Sequence, residues 1–310
     1  MKILHVLIIL FSSSLLFALE PIAPIPTTLS DIDLPKAKLG RMLFFDTILS
    51  KDESISCHSC HDFAQGGADI NKVSTGVSRR QGSIQSPTIY NSRYNFKQFW
   101  NGRANTLDEQ ANGPLTAHNE MDMSAKEVAR RLNQNALYIK SFKAIYNTTP
   151  ITMKQVVNAI VEFEKALTTP NSRFDRSLRG EIKLSALEAE GYTKFKSLGC
   201  ITCHNGINIG ANSFQKMGLF RAYPYNVKYQ DRFSITKKEY HKNVFKVPTL
   251  RNITLTAPYF HDGSAKTLED AIQTMAKHNL GISLSEEDVE VLVAFLKSLE
   301  GDRPIILDAP

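Results

Sequence analysis

The chain has 310 residues, of which 42% are hydrophobic and 22% are charged, and its formal net charge is +6. This length suits about two ordinary domains with real cores, and the composition is that of a globular protein. The sequence contains no dense run of lysine and arginine, so its basic balance does not predict nucleic-acid binding.

Residues 1–18 are predicted to be a signal peptide. They combine a short basic start, an apolar run and a small residue, Ala18, at a plausible cleavage point. Three serines, Ser12 to Ser14, interrupt the apolar run, which makes a membrane-spanning helix the weaker interpretation. An uncleaved N-terminal anchor is the alternative.

The first predicted helix covers Leu34–Phe45 and follows a proline-rich leader over residues 19–34. Its apolar residues have helical spacing, and Pro35 occupies the first turn, where the missing N–H has no intrahelical partner to lose. Residues 46–56 are rich in turn-forming residues and lead directly into a cysteine motif.

This motif, Cys-x-x-Cys-His at residues 57–61, recurs once at residues 200–204, and the two copies contain all four cysteines. The spacing is typical of covalent haem c attachment, in which two thiols bind the porphyrin and the histidine ligates its iron. A zinc site or a thioredoxin-like redox pair could also use Cys-x-x-Cys, but neither explains the histidine after each second cysteine. The sequence therefore predicts two haems c, and their attachment residues are Cys57, Cys60, His61, Cys200, Cys203 and His204. Bacteria attach haem c outside the cytoplasmic membrane, so the predicted location is the periplasm.

Some thirty residues after His61 show no sustained apolar period and are predicted to form a loop. The only tryptophan, Trp100, follows this loop. Ile139 is assigned to a helix that opens at Ser124, and Gly301 is expected to stop the last helix. Capping patterns predict the later helix starts, which lie at Ser124, Thr152, Ser185, Thr267 and Ser285.

These patterns predict a mainly α fold with long loops around two haems, because strand-like alternation is scarce. Pro170 and Asn171 interrupt the helical pattern between residues 169 and 179, so the domain boundary is placed there. The expected domains cover residues 19–170 and 171–310.

Several sequence blocks, spread over nearly the whole chain, resemble the bacterial di-haem cytochrome c peroxidases. The most specific are LGRMLFFD (39–46), SCHSCHDFAQGGAD (56–69), QFWNGRANTLDEQANGP (98–114), NEMDM (119–123) and FKVPTLRNITLTAPYFHDG (245–263). The resemblance implies two cytochrome c-like domains that each bind one haem c. It also implies that hydrogen peroxide is reduced to water at the N-terminal haem, with electrons from a small cytochrome or similar redox protein.

The same resemblance assigns roles around the N-terminal, peroxidatic haem. It makes His61 the proximal iron ligand, Glu120 the acid/base that moves a proton between the peroxide oxygens, and Gln110 a residue that orients peroxide. Trp100 matches a tryptophan between the two haems, where it either shortens the electron's path or only packs. Ordinary surface roles are the alternatives for Glu120 and Gln110.

For the C-terminal, electron-transfer haem the resemblance implies ligation by His204 and Met275. Met217 is the competing ligand, and a core methionine is the alternative for Met275. His261 matches a family position at which a structural role is as plausible as a direct one. The family also binds calcium between its domains, and the corresponding residues here are Gln85, Thr256 and Pro258; Gln85 replaces an asparagine of the family.

Val77 is the main departure from the family pattern. Many members carry a histidine sixteen residues after the first haem-binding histidine, and this histidine blocks the peroxidatic iron in the oxidised enzyme. Counting from His61 without gaps, that position is Val77, which cannot ligate iron. We therefore expect an open peroxidatic haem and activity without prior reduction.

Two other functions fit two haems. A di-haem oxidase could modify a protein or a quinone, as does the methylamine dehydrogenase maturation enzyme, which has a tyrosine at the position of Met275. A two-haem electron carrier would need six-coordinate iron at both sites, yet the sequence offers no clear second ligand opposite His61. Family members are often homodimers, and this too is an expectation for the chain.

Overall fold

The computed structural model describes residues 20–308, and the predicted signal peptide lies outside these residues. The described part is mainly helical. Its helices are α1 (Leu34–Phe45), α2 (Leu107–Thr116), α3 (Ala125–Leu132), α4 (Ala136–Tyr146), α5 (Met153–Ala166), α6 (Arg173–Leu178), α7 (Ala186–Ser197), α8 (Arg232–Thr236), α9 (Leu268–Met275) and α10 (Glu286–Lys297). Two short strands, β1 (Phe214–Lys216) and β2 (Val244–Lys246), form an antiparallel pair in which Phe214 lies opposite Lys246.

Each half of the chain is built on two helices that cross at a glycine. In the first half, a Cβ on Gly40 of α1 would lie 1.9 Å from the carbonyl oxygen of Ala159 in α5. In the second half, a Cβ on Gly191 of α7 would lie 1.9 Å from the carbonyl oxygen of Val291 in α10. Only glycine allows two backbones to approach this closely, so the same helix crossing organises both halves.

Two hydrophobic cores accompany these helix pairs. The first contains buried residues between positions 37 and 167, together with Ile306 and Leu307 near the C-terminal end. The second contains buried residues between positions 174 and 299, together with Ile22 from the leader. The described ends of the chain therefore cross over, and each end packs against the core of the other half.

The predicted helix starts are confirmed. Each of the five predicted cap residues accepts a hydrogen bond from the backbone N–H three positions later. The reciprocal bond of a full capping box forms at Thr152 and Ser185. The first helix also has the predicted bounds, with Pro35 in its first turn.

Several boundaries differ from the prediction. The helix from Ser124 ends at Leu132, and Ile139 belongs to α4, whose first backbone N–H groups are capped by the side chain of Asn135. The last helix ends at Lys297, before Gly301. Helices α2, α6 and α8 were not predicted, and α6 lies within the segment expected to be an interdomain break. Tertiary contacts and local caps outweigh weak helical periodicity in such short helices.

A buried ion pair joins the leader to the second half. The Arg251 guanidinium donates to Asp175 Oδ2 at 2.9 Å, and both side chains are 0% exposed. Arg251 also donates to the carbonyl oxygens of Ala23 and Ile207, and the Ile25 N–H donates to Asp175.

Within residues 20–308, the helices are all too short or too polar to cross a membrane.

Candidate active site

One cavity of about 580 Å³ extends between the two halves of the chain. Residues of both Cys-x-x-Cys-His motifs line it, and Trp100 lies on its wall. The described lining residues from the motifs are Cys60, His61, Cys200, Cys203 and His204. The fold therefore places both predicted haem attachment sites around a shared space.

In the first motif, the local backbone orients His61. Residues 57–59 form a short 3₁₀ turn, and the His61 Nδ1–H donates to the carbonyl oxygen of Gly67 at 3.1 Å. Burial lowers the pKa of His61, which favours the neutral imidazole. Because Nδ1 carries the donated proton, the Nε2 lone pair is available to an iron atom.

In the second motif, His204 repeats this arrangement. Its Nδ1 donates to the carbonyl oxygen of Ile209 at 3.4 Å, and burial lowers its pKa to about 4. Burial also raises the pKa of the Cys60 and Cys200 thiols to about 11. Cys60, Cys200 and Cys203 line the cavity, whereas Cys57 packs against the first core. These thiols, with two neutral imidazoles whose Nε2 is free, fit two covalently attached haems.

Glu120 lies in a turn that folds back on the end of α2. Its N–H donates to the carbonyl oxygen of Ala117, and the next N–H, that of Met121, donates to the carbonyl oxygen of Pro114. Met121 and Met123 are buried in the first core. This anchoring leaves Glu120 half-buried on the cavity wall, near the site of the first haem.

The charge state of Glu120 depends on two opposing effects. Burial raises the pKa of its carboxyl group, and the positive charge of Arg103 lowers it. The Arg103 guanidinium is held 3.3 Å above the ring centroid of Phe99 and faces the cavity. Gln110, on α2, lines the same cavity. The structure therefore brings Glu120 and Gln110 together around the site and adds Arg103.

Val77 does not reach this cavity. Its side chain is fully buried, and its backbone N–H donates to the carbonyl oxygen of Glu120 at 2.9 Å. Among the described residues, the histidines that line the cavity are His61, His204 and His261. The loop that carries Val77 thus presents no imidazole opposite His61.

Trp100 connects the two halves. Its indole Nε1–H donates to the carbonyl oxygen of Gln85 at 2.8 Å, and its own carbonyl oxygen accepts from the N–H of Lys246 at 2.7 Å. The indole ring meets the rings of Phe245 and His261 edge to face, with centroids 6.3 Å away in both cases. Trp100 is therefore hydrogen-bonded to segments of both halves on the wall of the shared cavity.

Both candidate methionines, Met275 and Met217, line the cavity. Met275 is the last residue of α9, and a π-helical turn over Ala276–Leu280 follows it. Such turns frequently occur at functional sites. Met217 follows β1, is buried, and donates its N–H to the carbonyl oxygen of Asn243.

The residues expected to hold calcium also lie along the cavity. Gln85 is buried, and its Nε2 donates to the carbonyl oxygen of Asp69 at 3.3 Å, so its side-chain oxygen is the atom left for a cation. Thr256 and Pro258 line the cavity as well. The Thr256 hydroxyl donates to the carbonyl oxygen of Ile253. Within residues 20–308, no cluster of three or more histidine, cysteine, aspartate or glutamate side chains forms a metal site.

Sequence patterns did not identify Glu164, Lys246 or Arg103 as cavity residues. Glu164 is buried on α5, and its Oε2 has no hydrogen-bond partner among the described residues. Burial, aided by the charge of Asp108, raises the pKa of Glu164 to about 8. The sequence signal for Glu164 is its position next to Phe163, on a helix face whose other residues are apolar. The buried Nε2 of His261 also lacks a hydrogen-bond partner within residues 20–308, and burial lowers the pKa of this histidine to about 4.

Comparisons with known proteins agree with this geometry. The family model for di-haem cytochrome c peroxidase matches residues 35–183. Cytochrome c551 peroxidase of Nitrosomonas europaea is 44% identical, over 94% of this chain and 88% of that protein. Cytochrome c551 peroxidase of Pseudomonas aeruginosa is 38% identical, over 91% of this chain and 84% of that protein.

The fold also matches a solved structure. A MauG-like protein associated with microbial copper homeostasis superposes with a TM-score of 0.79 at 29% identity, covering 91% of this chain and 93% of that chain. This match extends over both halves, in agreement with two cytochrome c-like domains. The chain belongs to the di-haem cytochrome c peroxidase family.

Proposed function

We propose that this enzyme reduces hydrogen peroxide to water at the haem held by His61, with electrons that enter through the haem held by His204. The observation that carries the proposal is Glu120, a half-buried carboxyl group on the wall of the cavity that His61 also lines. Named peroxidases at 38% and 44% identity over most of the chain support this reaction class over a protein or quinone oxidase and over an electron carrier.

When bound, the haems supply redox-active iron and store electrons from a donor protein. The chain's own contribution is to move a proton. Glu120 takes a proton from one peroxide oxygen and returns it to the other, so that water can leave. Two electrons and two protons complete the conversion of one peroxide molecule to two waters. Gln110 is placed to orient peroxide, and Arg103 favours the ionised form of Glu120 that accepts the proton.

The first haem site is ready for peroxide in the oxidised enzyme. Val77 is buried away from the cavity, and His61 is the one histidine that the first motif contributes to the described lining. Stopped-flow mixing of the fully ferric enzyme with peroxide tests this. We expect a fast change in the Soret band; a change that appears only after one-electron reduction would contradict the proposal.

Electrons reach this site across the junction at Trp100. We assign His204 and Met275 as the ligands of the electron-transfer haem, because a neutral thioether raises the haem potential and suits an electron-accepting port. The donor is a small cytochrome or similar redox protein. The hydrogen bonds of Trp100 to Gln85 and Lys246 hold it on the wall of the cavity that both motifs line, which supports a route past this residue.

We extend the proposal to calcium. The cation would be held by the side-chain oxygen of Gln85 and the carbonyl oxygens of Thr256 and Pro258, which are the hard neutral ligands that Ca²⁺ accepts. Removal with a chelator, followed by calcium or magnesium addition, tests this. Recovery of the haem spectrum with calcium alone, and its loss in Gln85→Leu, is expected; an unchanged spectrum on chelation would contradict it.

We also propose the domain bounds, the cellular location and the assembly that the sequence predicts. We place the domains at residues 19–170 and 171–310, the mature enzyme in the periplasm and its assembly as a homodimer. Cell fractionation and light scattering of the holoenzyme test the last two. Recovery in the cytoplasm, or a monomeric mass at working concentration, would contradict them.

Glu120→Gln is the decisive variant for the reaction. It keeps the size of the side chain and removes the base, so the peroxide rate should fall by about 100-fold or more, within the range for general acid–base groups. Glu290→Gln, an exposed carboxylate on α10, is the matched control and should retain activity. A Glu120→Gln rate within a few-fold of the control would exclude Glu120 as the base.

A further inference from the structure

Lys246 is a buried lysine without a carboxylate partner in the described part of the chain. Of the lysines in residues 20–308, it alone is buried, with 7% of its surface exposed. No described carboxylate forms an ion pair with it, and no described acceptor receives a hydrogen bond from its Nζ. The side chain contributes to the wall of the shared cavity.

The strand fixes where this side chain can go. Lys246 ends β2, its N–H is bonded to the carbonyl oxygen of Trp100 at 2.7 Å, and Phe214 of β1 lies opposite it. Its neighbours Phe245 and Val247 are both buried, so the strand is enclosed on both faces. The side chain of Lys246 therefore lies inside the fold and lines the shared cavity.

A buried ammonium group without an anion is costly, and proteins avoid it by pairing the charge or by losing the proton. Burial lowers the pKa of Lys246 to about 7, and no neighbouring carboxylate opposes that effect. Glu164 also lines the cavity, but the pKa of Glu164 responds to burial and to Asp108, not to Lys246. The charged form of Lys246 would therefore be stabilised by an anion that enters the cavity.

Each haem brings two propionate carboxylates, and both haem sites open onto this cavity. We infer that Lys246 anchors a haem propionate beside Trp100, at the junction of the two haem sites. The pairing supplies the missing anion and explains why a lysine occupies an enclosed strand. It also ties the cofactor to the backbone that carries Trp100, because residue 246 bonds to both.

This pairing has an electrostatic consequence that can be measured. A cation at a propionate offsets its negative charge and favours the ferrous state, which carries one more electron than the ferric state. Lys246→Gln should therefore lower the midpoint potential of the haem whose propionate is held. The midpoint potential of the other haem should change less, so the haem with the larger shift is the one whose propionate contacts Lys246.

The experiment is a potentiometric titration of the holoenzyme, followed at the absorption bands of both haems. Lys246→Gln and Lys246→Met remove the charge, Lys246→Arg keeps it, and Lys266→Gln removes an exposed charge outside the cavity lining. We expect a downward shift in the first two variants and a smaller change in the last two. Haem content confirms that each variant is loaded.

The inference fails if Lys246→Gln and Lys246→Met leave both potentials where Lys266→Gln leaves them. If both charge-removing variants fail to load haem, resonance Raman spectra of the wild type and Lys246→Arg decide. A shifted propionate bending mode in Lys246→Arg supports the contact, and an identical mode overturns it. The inference uses the two haems of the proposed function but not its oxidant, so a lack of peroxide turnover would leave it standing.

Discussion

The backbone N–H of Val77 donates a 2.9 Å hydrogen bond to the carbonyl oxygen of Glu120. The loop that carries Val77 is thereby fastened to the turn that carries the proposed acid/base. Arg80 from the same loop donates to the carbonyl oxygen of His118 at 2.7 Å and to Asp122 at 3.0 Å. The position of the Glu120 carboxyl group thus depends on a loop that contributes no side chain of its own to the chemistry.

Gly76 provides the first test of this dependence. A Cβ at this position would lie 2.2 Å from the carbonyl oxygen of Asn119 and 2.7 Å from that of Glu120, so Gly76→Ala must push the Glu120 turn away. We expect the rate of the ferric enzyme with peroxide to fall by about 10- to 100-fold, since small misplacements of reacting groups are costly.

A second glycine of the same loop gives the control. A Cβ on Gly82 would meet its nearest atom, the Ser74 carbonyl oxygen, at an ordinary 3.6 Å. Gly82→Ala should therefore react with peroxide at nearly the wild-type rate, with the same haem content. Equal rates in Gly76→Ala and Gly82→Ala would show that the loop does not position Glu120.

The contrast between local and tertiary information explains what the sequence could predict. Helix starts at Thr152 and Ser185 depend on four consecutive residues, and both formed as expected. Haem attachment is predicted from five consecutive residues, and in both motifs the histidine donates its Nδ1–H to a backbone carbonyl oxygen. The roles of Arg103, Glu164 and Lys246 depend on which distant segments enclose them, and no short pattern encodes that enclosure.

The break after Leu132 illustrates the same limit at the level of the fold. Apolar spacing continues from Val128 through Ile139, so one helix was predicted. Asn133 and Asn135 interrupt this helix. The Asn133 side chain donates to the carbonyl oxygen of Ala129 at the end of α3, and the Asn135 side chain accepts from the N–H of Leu137 at the start of α4. Local side-chain bonds of this kind compete with helical hydrogen bonds and override the hydrophobic period.

Arg103 should control the pH dependence of the peroxide reaction. Burial raises the pKa of Glu120, and the charge of Arg103 opposes this rise. Glu120 acts as a base only when ionised, so the rate is present above its pKa and is lost as the pH falls through it. Arg103→Leu removes the opposing charge, so the acid limb of the pH–rate profile should move to higher pH.

The conservative variant separates charge from structure in this prediction. Arg103→Lys keeps a positive charge near Glu120 but gives up the planar group that lies over the Phe99 ring. Its acid limb should therefore stay closer to that of the wild type than the limb of Arg103→Leu does. Identical acid limbs in all three proteins would mean that Arg103 does not act on Glu120.

The assignment of the second axial ligand can be tested by comparing two methionines. Met275→Leu should convert the electron-transfer haem to a high-spin form and lower its potential, because a thioether ligand is lost. Met217→Leu should leave that haem low-spin, since the substitution preserves apolar volume. Electron paramagnetic resonance of the ferric proteins measures the spin state; loss of the low-spin signal in Met217→Leu but not in Met275→Leu would reverse the assignment.

Arg251 should be the most sensitive position for stability outside the haem sites. Arg251→Met leaves Asp175 as a buried carboxylate without its partner and removes the hydrogen bond to the leader at Ala23. Breaking one side of a buried ion pair costs about 3–5 kcal/mol, and we expect a corresponding fall in the free energy of unfolding of the second half. Urea unfolding followed at the band of the electron-transfer haem measures it.

An exposed pair supplies the comparison for this last prediction. Arg173 pairs with Glu188 at 2.7 Å on the surface, where solvent screens the charges, so Arg173→Met should shift the unfolding midpoint far less than Arg251→Met. The leader gives a second measurement, since Asp175 accepts from the N–H of Ile25 and Arg251 donates to Ala23. Faster proteolysis near residues 20–25 in Arg251→Met, but not in Arg173→Met, is expected. Equal midpoints and equal cleavage in the two variants would show that the buried pair does not fasten the leader to the second half.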